Sequence, residues 1–157
     1  MSEFAEKLKL FLKQDIVDLK ALKALLDKEK KCLKTRNSAD IQNISQHKSQ
    51  TIQQLDSRSK LKARLIAASG LAIKPGQVGS TLSTLNDDEL MVLWHESRQK
   101  LASCKDQNVV NGTIISHSIQ RTNKLMTIIR GQNQSPNLYG QQGKAQAYGQ
   151  STIIGEA

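Results

Sequence analysis

At 157 residues and 17.4 kDa, the chain has room for one domain, or for one long bundle with a tail. Its apolar content of 38% is too low for a broad spherical core and suits a few long helices pairing along narrow stripes. The formal charge of +9 is uneven: residues 1–70 hold 15 Lys/Arg against 8 Asp/Glu, whereas residues 131–157 hold only Lys144 and Glu156. A basic half invites a nucleic-acid reading. Single-strand binders need stacking aromatics, however, and duplex binders a reading motif, and this half lacks both. A solvated, lysine-rich helix face is the preferred reading.

The opening stretch MSEFAEKLKL has acidic residues and no apolar run, so no signal peptide is expected. From Glu3 to Lys34 there is no proline or glycine, and Leu8, Leu12, Ile16, Leu19, Leu22, Leu26 and Leu33 recur on one helical stripe. The first helix is placed at 3–35. Asn37 or Ser38 can cap a second, over 39–69, with Asp40 in its first turn. Its stripe of Ile41, Ile44, Ile52, Leu55 and Leu65 or Ile66 is weaker, because Lys48, Thr51, Arg58 and Lys62 lie near it. Gly70 suits the position just beyond its C-terminus.

Residues 70–85, punctuated by Pro75-Gly76 and Gly79, read as a loop. No Gly-Lys-Ser/Thr follows these glycines, which excludes a phosphate loop. In TLNDDEL, Asn86 is the expected N-cap and Glu89 stands three residues on, the spacing of a capping box; Leu85 and Leu90 then form a hydrophobic staple. The third helix, 86–130, carries the ladder Leu90, Trp94, Ser97, Leu101, Cys104, Asn108, Asn111, Ile115, Ser118, Thr122, Leu125, Ile129. Asn108 and Asn111 are either a polar layer that sets helix register or ordinary polar gaps. As a register layer they cost stability, and replacing both by leucine is expected to raise the melting temperature. Leu125, Ile128 and Ile129 end the helix with apolar weight that two helices of about 30 residues leave uncovered, a surface suited to an amphipathic helix of another chain.

After Gly131 the composition turns to Gln, Asn, Gly, Ser and Pro, a low-complexity segment expected to stay flexible. Its two tyrosines, Tyr139 and Tyr148, have no core to enter, which marks them as anchors for a partner. The fold class expected is therefore all-α. Residues 1–130 form an elongated antiparallel bundle of three long helices, and residues 131–157 a flexible, partner-binding tail.

Catalytic chemistry finds no support. His47, His95 and His117 each stand on a helix without a second ligand at metal spacing, and His95-Glu96 is followed by Ser97-Arg98-Gln99 rather than another histidine. Thirteen residues of one helix separate Cys104 from His117, about 20 Å. Asp87-Asp88-Glu89 suits a helix N-terminus better than an acid pair. Cys32 and Cys104 form no Cys-x-x-Cys pattern and read as small apolar residues in a reducing compartment. The expectation is a cytoplasmic non-enzyme without cofactor, nucleic acid or membrane insertion.

The chain resembles the FlgN family of flagellar export chaperones over nearly its whole length. The matching pieces are the long lysine-rich first helix, Lys48 in the second and the Trp94 helix. NVVNGTII (Asn108, Asn111, Gly112) and NLYGQQG (Leu138, Tyr139, Gly140, Gly143) add the more specific motifs. The resemblance implies a small cytoplasmic α-helical protein that binds the hook–filament junction proteins FlgK and FlgL and delivers them to the type III export gate. It implies that the end of the long helix and the following tail, Leu125, Ile128, Ile129 and Leu138, receive the substrate's C-terminal helical region. It also implies that Tyr139 docks on the gate component FlhA. Two other classes remain open from the residues alone. A basic helical nucleic-acid binder would lose binding steeply with added salt, and a structural coiled-coil adaptor would keep its partners without the tail.

Overall fold

The structure is a computed structural model and describes residues 2–131. Leu138, Tyr139 and Tyr148 lie outside the described residues. All regular structure within them is helical: α1 (Ser2–Thr35), α2 (Ser38–Ala68), α3 (Val78–Ser83) and α4 (Asp88–Ile129). No helix among the described residues is long and apolar enough to cross a membrane.

Helix α1 is the hub. It packs extensively on both α2 and α4, whereas α2 and α4 scarcely touch. Pairings between α1 and α2 run in opposite directions along the chain: Asp15 meets Lys62 and Arg58, and Glu29 meets Lys48. Those between α1 and α4 rise together: Lys9 meets Glu89, Leu19 meets Cys104, and Leu26 meets Asn111. The reversal after α1 uses Arg36 in the left-handed region (φ 57°). Asn37 then caps α2 by accepting from the Asp40 N–H at 3.4 Å.

Two apolar clusters hold the helices. One gathers Phe4, Ala5, Leu8 and Leu12 of α1 with Leu82 of α3 and Leu90 and Trp94 of α4, and Leu65 and Ile66 of α2 lean on it. The other joins Leu19, Leu22 and Leu26 to Leu55 and Cys104. The first cluster explains α3, which replaces part of the expected loop over 70–85. Leu82 is completely buried there, and its burial, with that of the partly buried Val78 and Leu85, offsets part of the cost of ordering a six-residue helix with no side-chain cap. Gly79 allows α3 to approach closely, since a Cβ at that position would stand 3.0 Å from the Trp94 indole nitrogen.

The start of α4 differs from the capping box expected. Asn86 adopts a left-handed conformation (φ 52°), and Asp87 is the N-cap, accepting from the Leu90 N–H at 2.9 Å. Asparagine tolerates that backbone region. The shift by one residue brings Asp87 to 3.1 Å from the Lys9 ammonium, and frees Glu89 to bind Lys9 at 3.4 Å and Lys13 at 2.8 Å. Glu6, Asp87 and Glu89 together raise the Lys9 pKa above its ordinary value. The Leu90 N–H and then Lys9 hold Asp87 below its ordinary value, and Lys13 and Lys9 do the same for Glu89.

Both carboxyls titrate lower folded than unfolded. Their contribution to stability is therefore complete above the unfolded carboxylate range, about pH 4, and is lost as pH falls through the folded values. Melting temperature should fall on acidification through that window. Asp87→Asn should flatten the dependence and lower the plateau, and thermal scans followed by circular dichroism between about pH 2 and 6 would measure both.

Candidate docking surface at the end of the long helix

The ladder of α4 divides into two parts. Leu90, Trp94, Ser97, Cys104 and Asn111 are buried, and Leu101, Asn108 and Ile115 are half-buried. Beyond them Ser118, Thr122, Leu125 and Ile129 are exposed. Helix length accounts for the division. The pairings of Leu19 with Cys104 and Leu26 with Asn111 set a register in which Thr35, the last residue of α1, stands beside residue 120 of α4. About ten residues of α4 project past that point, roughly 15 Å at 1.5 Å per residue. Over 120–131 every residue but Thr127 is exposed.

This projecting end carries most of the large apolar side chains exposed on α4. Leu125 is 59% exposed, Met126 43%, Ile128 66% and Ile129 78%. Such side chains clustered within one and a half turns mark an interaction surface more often than isolated exposed leucines do. The ladder places Leu125 and Ile129 here, and the apolar weight at the end of the helix adds Ile128; Met126 is a further member that the sequence reading leaves out. Leu138, the fourth residue assigned to the substrate, lies outside the described residues, as does Tyr139.

Asn111 is the last buried residue of α4, nine positions before the projecting part. It is 1% exposed and fully engaged: its amide nitrogen donates to the Leu26 carbonyl at 2.9 Å and to the Glu29 carboxylate at 2.8 Å, and its oxygen accepts from Gln107 at 2.9 Å. Glu29, itself 3% exposed, accepts from Lys48 of α2 at 2.9 Å. One buried chain of polar contacts thus runs from α2 through α1 to α4. Asn108 is half-buried one turn earlier.

Nothing else among the described residues gathers chemistry. His47, His95 and His117 are exposed, and no group of three or more His/Cys/Asp/Glu is placed to hold a metal ion. Cys104 is buried with its thiol directed at the Leu19 carbonyl (3.4 Å), and burial pushes its pKa up, away from thiolate reactivity. Cys32 is half-buried. Trp94 closes the first cluster beneath the Arg98 guanidinium, 5.5 Å from its ring centroid, and so serves packing. A small cleft where α2 and α4 fail to meet is lined by Leu19, Leu55 and Leu101 and edged by Asp15, Lys62 and Arg98.

These contacts reverse the effect expected of leucine at the asparagine layer. Asn111→Leu would remove three hydrogen bonds and leave a buried Glu29 oxygen without that donor, a cost of about 1–3 kcal/mol that leucine burial does not cancel. Asn111→Leu should therefore lower the melting temperature. Asn108→Leu, at a half-buried position, should have the smaller effect. Urea unfolding of the two single variants separates the contributions.

A family model described as FlgN protein matches residues 1–147, which includes every described residue and the NLYGQQG motif. No curated protein and no solved structure matches the chain. A helical architecture, an apolar helix end left uncovered by the other described residues, and a match over almost the entire length agree: the chain belongs to the FlgN family, whose members are flagellar export chaperones.

Proposed function

We propose that this protein is a cytoplasmic, non-enzymatic chaperone that binds the hook–filament junction proteins FlgK and FlgL and delivers them to the export gate. The observation that carries the cargo site is the projecting end of α4, where Leu125, Met126, Ile128 and Ile129 stand in solvent. A helix of a client protein laid along them gains the hydrophobic burial that α1 provides to the earlier turns. Leu138, a few residues further on, extends the same site. The other described residues form a bundle in which α2 returns along α1 and α4 runs beside α1 again. In that arrangement the bundle is a rigid handle for the docking end, and the asparagine layer at Asn108 and Asn111 sets the register that determines how far α4 projects.

Export also requires that the cargo be surrendered. A site of a few exposed side chains on one helix end buries little area, which keeps its affinity moderate. Tyr139, immediately after Leu138, is assigned to docking on the gate component FlhA, so that cargo and gate contacts sit side by side on the chain.

Ile128→Asp with Ile129→Asp places two charges in the cargo surface and removes none of the buried contacts of the bundle. Cargo binding should be abolished while helical content and melting temperature stay near those of the parent protein. Titration with purified FlgK- or FlgL-like protein, paired with circular dichroism, checks this; unchanged affinity removes the site.

Tyr139→Ala should spare cargo affinity and weaken binding to the cytoplasmic domain of FlhA by about 2 kcal/mol, the effect of losing an aromatic hot spot. Tyr148→Ala, which lacks the preceding leucine, should do less. Calorimetry of each variant against cargo and gate separately distinguishes the roles, and loss of cargo with retention of the gate contradicts the assignment.

A further inference from the structure

The docking end of α4 has an electrostatic character as one-sided as its apolar one. From residue 107 to 131 the chain contains no aspartate or glutamate, while Arg121, Lys124 and Arg130 lie among the exposed apolar residues. The register that places Thr35 beside residue 120 brings the last turns of α1 to this same end of the bundle. Those turns carry Lys28, Lys30, Lys31 and Lys34, and Arg36 follows them. Their acidic neighbours are already engaged: Glu29 is buried against Lys48 and Asn111, and Asp27 pairs with Lys23 at 2.8 Å. None of the eight cations has an ion pair among the described residues. Elsewhere among the described residues unpaired cations such as Lys20, Arg64, Lys74 and Lys105 are scattered, and the paired ones gather at the helix contacts. Lys9 and Lys13 meet Asp87 and Glu89, and Arg58 and Lys62 meet Asp15 and Asp18.

We infer that the helix received by the end of α4 is an acidic amphipathic one, with an apolar stripe for Leu125, Ile128 and Ile129 and carboxylates along its flanks for Arg121, Lys124 and the basic end of α1. This rests on the cargo site proposed above and specifies the chemistry of its occupant. Continuity of the ladder favours a protein helix. Steps of seven, seven, four, three and four residues lead from Cys104 and Asn111, which face α1, to Ser118, Thr122, Leu125 and Ile129. These last four are presented to the line that α1 vacates after Thr35. A helix on that line continues the packing of α1 for about three turns. A lipid surface would have to bury Ser118 and Thr122 on the same face, and over residues 118–131 it would find none of the interfacial aromatics that membrane-lying helices use. Attraction between the flanks also speeds encounter and rejects basic helices, since like charges brought together at a contact oppose it.

Three synthetic amphipathic peptides with one Leu/Ile face, flanked by Glu, by Gln or by Lys, test the inference by fluorescence anisotropy against the full chain. The Glu-flanked peptide should bind about tenfold more tightly than the Gln-flanked one, the effect of a few exposed ion pairs. The Lys-flanked peptide should bind most weakly. Added salt should compress the order, and Arg121→Gln with Lys124→Gln should reduce the advantage of the Glu flanks. Equal affinity for all three, no binding of any, or tighter association with phosphatidylglycerol vesicles than with the Glu-flanked peptide would each overturn it. The cargo site itself is judged separately, by whether Ile128→Asp with Ile129→Asp loses purified junction protein. If that loss occurs and the three peptides bind alike, the site stands and its acidic preference does not.

Discussion

Asp15 and Glu29 occupy positions of the α1 ladder where leucines would otherwise stand, and both are almost completely buried. Burying a carboxylate is costly unless a cation and further donors meet it. Helix α2 supplies the cations: Arg58 and Lys62 for Asp15, and Lys48 for Glu29. At Arg58, burial alone would lower the pKa, yet hydrogen bonds to Asp15 and Asp18 outweigh it and raise it. Replacing such pairs by apolar residues often leaves a protein as stable or more so, whereas removing one partner is strongly destabilising. The pairs therefore serve less to add stability than to forbid misalignment. A shift of α2 along α1 by one turn would strand two buried acids and three cations together.

That constraint explains an arrangement in which α1 touches both long neighbours while they hardly touch each other. Helix α2 spends its inward positions on cations for α1 and keeps few large apolar residues for α4. Helix α4 meets α1 through leucines at one end and through Ser97, Cys104 and Asn111 further along. The apolar contact is concentrated where Trp94, Leu82 and Phe4 meet, and thins toward the far end of α4. Client binding at that far end, as proposed, would not compete with the best-packed part of the fold.

Much of this is legible in the residues, and the rest was hidden for identifiable reasons. The leucine spacing in α1 marks its buried face, because period and burial coincide there. Gly70, the residue after the C-cap Ser69, has the positive φ that suits it to close α2 (75°). The cations on the α2 stripe read as faults until the acids are noticed at positions 15 and 29 of the opposing ladder; complementary charge at ladder positions was the available signal. The start of α4 was placed one residue early because Asn86 and Asp87 are both good caps. Lys9, 78 residues away, engages Asp87, a contact that no local pattern contains. For α3, the turn residues Pro75, Gly76 and Gly79 concealed a single turn and a half of helix whose reason for forming is a tertiary cavity for Leu82. Asn111 shows the same limit: a polar residue on a seam looks like a gap until the acid opposite is known.

Under the proposed function, the length difference between α1 and α4 is a functional quantity. Because buried hydrogen bonds fix Asn111 against Leu26 and Glu29, the point at which α1 ends along α4 cannot drift, and the number of uncovered residues is set. A looser seam of leucines alone would admit neighbouring registers at modest cost. In those registers Leu125 and Ile129 could slide toward α1 and cover themselves. The polar contact at Asn111 keeps them exposed. It maintains, at some distance from the proposed docking site, the apolar surface that an isolated bundle would otherwise tend to hide.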